Sequence, residues 1–127
     1  AVDFQMLPLD GGAEALFERV LRTSTEWGNS DQLMYVVGAT KADMLERVRA
    51  IVPDAFLLVP GVGSQNGSLE DVARFGLNSQ CGLLVNASRS IIYADNTEAF
   101  ANAAAAEAEA LRRQMAEILI KNKLIEA

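Results

Sequence analysis

Two stretches of the chain carry residue types suited to holding an anion. The first, Pro60-Gly61-Val62-Gly63-Ser64-Gln65-Asn66-Gly67-Ser68, sets three glycines just before a helix start. Glycines let backbone N–H groups approach an anion closely, and the first turn of a helix presents further unpaired donors. Gln65 adds a neutral donor and acceptor for a ligand's polar edge. A tight strand-to-helix turn also calls for glycine, so this loop alone leaves phosphate binding and plain turn geometry open. No Lys-Ser or Lys-Thr pair follows the last glycine, and GVGSQNG does not complete a dinucleotide fingerprint. The second stretch, Asn86-Ala87-Ser88-Arg89-Ser90, sets Arg89 directly beyond an apolar run. Backbone donors from one strand end and a guanidinium from the next make a phosphate clamp. A surface ion pair is the competing use of Arg89.

Other chemistries find little support. The 127 residues contain no histidine, which removes histidine acid–base catalysis, Ser-His-Asp and Cys-His nucleophiles and most zinc or iron sites. Cys81 is the single cysteine, so it has no internal disulfide partner; it precedes an apolar run and reads as a small core residue. Glu70/Asp71 and Glu107/Glu109 read as solvated helix faces, and Trp27 as a packing residue. Lys41 stands at a strand end and reads as the first exposed residue of a helix. Net charge is -6, so any bound anion must be held by local geometry, and nucleic acid or an anionic membrane surface is disfavoured as partner. No apolar run reaches the roughly 20 residues that span a bilayer, and no charged-then-apolar leader opens the chain.

The elements that position these loops follow from hydrophobic spacing. Residues 12–27 read as a helix with Ala15, Leu16, Val20 and Trp27 on one side. Leu33–Val37 is an apolar run without polar alternation, as expected of a strand buried on both faces of a parallel sheet. Residues 41–51 are again helical, through Leu45, Val48 and Ile51. The unit repeats as a strand over Phe56–Val59, the glycine loop, and a helix over Ser68–Phe75 with Ser68 as N-cap and Asp71 three residues on. A third strand covers Leu83–Val85, followed by a polar turn over 86–90. A long Ala/Glu-rich helix spans about 97–122, with Phe100, Leu111, Met115, Ile118 and Leu119 as its apolar side. Strand–helix alternation predicts an α/β fold with right-handed parallel crossovers. Three parallel strands leave two open sheet edges. The expectation is therefore the later part of a larger closed sheet or a small α/β domain. In (β/α)8 barrels a phosphate site after strands seven and eight recurs, and a whole barrel needs about 250 residues.

FLLVPGVGSQNGSLEDVARFGLN and GLLVNASRSIIYA resemble the final portion of the orotidine 5'-phosphate decarboxylases, specifically the bacterial type-2 group. VVGAT, the WG after the first helix and the opening DFQML fit the same family. The resemblance covers nearly the whole chain. It implies a single segment over residues 1–127, the C-terminal part of one (β/α)8 TIM barrel with about strands six to eight and their helices. It also implies cofactor-free, metal-free decarboxylation of orotidine 5'-phosphate (OMP) to uridine 5'-phosphate (UMP) by the parent protein. By position Gly61, Gly63 and Gly67 shape the phosphate turn, Gln65 contacts phosphate, and Arg89 grips it with help from backbone groups near Ser88. Where the family commonly has AQGG after PGVG, this chain has SQNG, with Gln65 in register. The family's catalytic Asp-x-Lys does not occur here, and the only lysines are Lys41, Lys121 and Lys123; no catalytic residue is expected in this segment. The implied partners are OMP or UMP, an N-terminal half of the barrel and a second copy in a homodimer, in the cytoplasm. Two alternatives share the clamp: a non-catalytic phosphate-binding half-barrel that self-associates, and another phosphosugar-binding barrel enzyme such as an epimerase or synthase.

Overall fold

A computed structural model describes residues 2–39, 43–63 and 68–127. The chain opens with a short helix α1 (Val2–Gln5) and a two-residue antiparallel pair, β1 (Pro8–Leu9) with β2 (Glu14–Ala15). The turn between them is tight because Gly11 and Gly12 both take positive φ, 72° and 98°. The sequence shows no strong strand before the first helix, and the pair found there is only two residues long on each side. Two-residue strands flanking Asp-Gly-Gly are too short for a periodicity to register.

Helix α2 (Leu16–Ser24) is shorter than the spacing predicts, and it presents a different side. Its inward positions are Phe17, Leu21 and Ser24, whereas Val20 is 55% and Trp27 73% exposed. Ser24 lies in the core because its hydroxyl is doubly occupied, donating to the Leu21 carbonyl at 2.6 Å and meeting the Tyr35 hydroxyl at 2.8 Å. Glu18 accepts from the Ala15 backbone N–H at 2.8 Å and so satisfies the N-cap donor at the helix start, although Ala15 itself has no side chain to cap the first turn. Glu18 also pairs with Arg47, and Arg47 lies 4.9 Å over the Phe17 ring, tying α2 to the next helix.

Three strand–helix units follow. They are β3 (Tyr35–Val36) with α3 (Asp43–Ile51), β4 (Leu57–Pro60) with α4 (Leu69–Gly76), and β5 (Leu83–Asn86) with a short α5 (Arg89–Ile92) and the long α6 (Phe100–Lys121). The sheet order is β3-β4-β5, all parallel, as the strand–helix alternation predicts. The polar turn expected over 86–90 is only partly a turn, since α5 already begins at Arg89. Phe100, expected on the apolar side of α6, is 59% exposed, while Leu111, Met115 and Ile118 pack on the core.

The strands are not buried on both faces. Tyr35, Val37, Leu57, Val59, Leu83 and Val85 face the helices and join Leu45, Val48, Leu69 and Val72 in one core. Leu45, Leu57, Val59, Val62 and Val72 are fully buried, each contributing about 1.5–3 kcal/mol of burial free energy. On the other face Val36, Leu58 and Leu84 stand side by side in register and are 71%, 37% and 47% exposed. An unbroken apolar run looks the same in sequence whether its second face is covered within the chain or bare.

At the lower end of the sheet Arg49 links four segments. Its guanidinium donates to the carbonyls of Gly76 (2.6 Å), Val52 (3.2 Å), Ala55 (2.6 Å) and Gly82 (2.8 Å). It thereby joins the ends of α3 and α4 to the entries of β4 and β5. Cys81, at φ 72°, packs against this core half-buried, close to its expected role.

Candidate functional site

The upper, C-terminal ends of β4 and β5 are neighbours through the pairing of Pro60 with Asn86. Beyond Pro60 the chain runs Gly61-Val62-Gly63, and both glycines take left-handed φ, 87° and 91°. Val62 between them is 2% exposed and part of the core. A buried pin flanked by two residues that must turn the other way accounts for the Gly-Val-Gly spacing. Gln65 and Gly67 lie outside the described residues, as do Ser64 and Asn66 and, at the end of β3, Thr40 and Lys41.

Helix α4 begins at Ser68, whose hydroxyl accepts from the Asp71 backbone N–H at 3.3 Å, the cap that the spacing predicts. Glu70 and Asp71 occupy its first turn. One of the helix's free donors is thus already partnered, and two carboxylates offset the positive end of its dipole.

That neighbouring end supplies Arg89, which is exposed and has no ion-pair partner among the described residues; the arginine–carboxylate pairs fall instead on Arg19, Arg22, Arg47, Arg112 and Arg113. Ser88 precedes it with its carbonyl accepting from Ile91 N (3.1 Å) and Ile92 N (2.8 Å), and its hydroxyl is held by Asn86 Nδ2 at 3.3 Å. The two loops meet: a β-carbon built on Gly63 would stand 3.5 Å from Ser90 Oγ. Of the expected site residues, Gly61, Gly63, Ser88 and Arg89 therefore lie at two adjoining strand ends. Ser90 and Asn86 were not among them; their position next to Arg89 was the only available signal. A groove of about 1190 Å³ runs from Val62 and Gly63 between α4 and α6 to Ile118 and Lys121. Its charged lining is mixed, with Glu70, Asp71 and Glu117 set against Arg74 and Lys121. Among the described residues no cluster of three or more His, Cys, Asp or Glu is placed to hold a metal. Among them, too, no helix is long and apolar enough to cross a membrane.

Parallel strand–helix units in the order β3-β4-β5 define a class: the chain has the fold of the C-terminal part of a (β/α)8 barrel. Two solved structures from Leishmania donovani share it. An OMP decarboxylase is 31% identical with a TM-score of 0.73, covering 92% of this chain and 43% of that one. A UMP synthase is 32% identical with a TM-score of 0.71, covering 94% of this chain and 24% of that one. No family model matches the chain. Among curated proteins, orotidine 5'-phosphate decarboxylase of Porphyromonas gingivalis is 67% identical over 97% of this chain and 44% of its own length. That of Bacteroides fragilis is 57% identical over 92% of this chain and 42% of its own length. The chain is homologous over nearly its whole length to the C-terminal part of orotidine 5'-phosphate decarboxylases, and spans less than half the length of these relatives.

Proposed function

We propose that this chain is the phosphate-binding part of an orotidine 5'-phosphate decarboxylase, converting OMP to UMP and carbon dioxide, and forms one segment of a single barrel domain. The observation that carries the reading is the 67% identity to a relative so named, over nearly the whole chain. In this reading the left-handed Gly61 and Gly63 aim backbone N–H groups at the phosphate, Gly67 completes the turn, and Gln65 contacts the phosphate. Arg89 neutralises its charge, with backbone groups at Ser88 beside it. The charged residues that act on the pyrimidine carboxylate come from the part of the barrel the chain does not span, so the chain alone does not turn over. Val36, Leu58 and Leu84 are then one layer of the barrel interior, covered by strands from that other part. No cofactor is required, the enzyme acts in the cytoplasm, and it pairs as a homodimer. A bare apolar row also suits the second reading, a half-barrel closing on its own copy without catalysis.

The test is decarboxylation of OMP, followed by loss of orotate absorbance. The protein at the length of its relatives is expected to be active, and the 127-residue chain alone inactive. Activity in neither would overturn the decarboxylase reading. A stable, inactive dimer of the 127-residue chain that buries the row would favour the self-associating alternative.

A further inference from the structure

We infer that Ser90 is an additional phosphate-binding residue, its hydroxyl donating a hydrogen bond to a phosphate monoester seated against the edge where Gly63 and the Arg89 turn meet. The inference rests on the phosphate-site reading above and deepens it. Ser90 Oγ lies 3.5 Å from where a Gly63 β-carbon would be, so it sits against the backbone of that loop at a position with no side chain. Hydrogen bonds tie the residues on either side of it: the carbonyl of Ser88 takes bonds from Ile91 and Ile92, and Asn86 donates to the Ser88 hydroxyl. Ser88 Oγ accepts from Asn86 Nδ2, and of the two hydroxyls it is that of Ser90 that stands against Gly63 of the glycine loop. It is half-buried, which limits competition from water, and a serine hydroxyl rotates to donate wherever an acceptor arrives. The chemistry favours such a donor. Glu70 and Asp71 stand in the first turn of α4, the helix that follows the glycine loop, in a chain of net charge -6, and Arg89 directly precedes Ser90 as the cation of the turn. A neutral hydroxyl adds holding power on the α5 side.

The test compares UMP with uridine by calorimetry, on the protein at the length of its relatives. Ser90→Ala is expected to weaken UMP about tenfold, the effect of one hydrogen bond to a charged acceptor, and to leave uridine unchanged. Ser90→Thr, which keeps the hydroxyl, is expected to restore UMP binding. Wild-type affinity for UMP in Ser90→Ala overturns the inference, as does an equal loss of UMP and uridine. If Ser90→Ala lowers the unfolding midpoint, Ser90→Cys, similar in size with a weak donor, carries the same expectation and the same refutation. A wild-type protein that binds UMP no better than uridine refutes the phosphate site itself, an outcome distinct from a silent Ser90 beside an intact preference for UMP.

Discussion

Replacing Arg49 by methionine keeps the apolar stem and removes the fork that joins four segments. Two of its bonds, to the carbonyls of Gly76 and Ala55, are 2.6 Å long, and both residues are buried. The bond to Val52 is longer at 3.2 Å, and the Gly82 carbonyl keeps a second donor, Leu57 N at 2.9 Å. The two short bonds therefore dominate. A charged donor to a carbonyl is worth about 1.5–3 kcal/mol net, so together they give about 3–6 kcal/mol. The guanidinium is only half-buried and regains water when the protein unfolds; burial pushes its pKa below the usual arginine value. Allowing for that cost, Arg49→Met should lower stability by about 3–4 kcal/mol in urea unfolding with unchanged m-value. The unfolding midpoint should fall by about 3–5 °C per kcal/mol at this length. Arg49→Lys, with one point charge in place of a fork, should recover less than half. A loss below about 1 kcal/mol would refute the idea that this fork holds the lower end of the sheet.

Gly82 belongs to the same device. It sits at φ 67°, and a β-carbon there would stand 2.3 Å from Asn78 Nδ2 and 2.5 Å from Arg49 Nη2. Gly82→Ala should cost at least about 2 kcal/mol through backbone strain and displacement of the fork, and its effect should be less than additive with Arg49→Met in a double-mutant cycle. Glu109 accepts from Arg112 and Arg113 on α6, and these bonds hold its carboxyl down at about 2. A depressed carboxyl pKa contributes stability that is present above the unfolded value of 4.5 and lost as pH falls toward about 2. Carboxyl NMR should place the Glu109 midpoint near 2 in the folded protein, and the Arg112→Ala/Arg113→Ala variant should return it to the ordinary glutamate range; a midpoint already there in wild type would contradict the pairing.

The parallel order of the sheet, the Ser68 cap and the extent of α6 were legible because each rests on local signals: alternating periods, a hydroxyl three residues before a free N–H, and a run of strong helix formers. The inward side of α2 was not. Ser24 is buried through two hydrogen bonds that hydropathy does not count, while Trp27 and Val20, the most apolar-looking choices, face outward. The bare sheet face was hidden for a different reason. Val36, Leu58 and Leu84 carry the composition of an interior, and whether an interior is completed within the same stretch of chain is a tertiary fact. Of the candidate site, the left-handed Gly61 and Gly63 and the place of Arg89 at the next strand end could be read directly. The placement of Ser90 could not, because it depends on a contact with Gly63 between two loops about 27 residues apart in sequence.

The central claim is that the strand ends bearing Gly61, Gly63 and Arg89 hold the phosphate of a pyrimidine nucleotide. Its most direct measurement is the dissociation constant of UMP against that of uridine, for the protein at the length of its relatives and for Arg89→Ala. UMP should bind more tightly than uridine, and Arg89→Ala should weaken UMP alone, by about 1.5–3 kcal/mol or roughly 10- to 150-fold. Equal affinity for UMP and uridine, or an Arg89→Ala variant that binds UMP as wild type does, would contradict it.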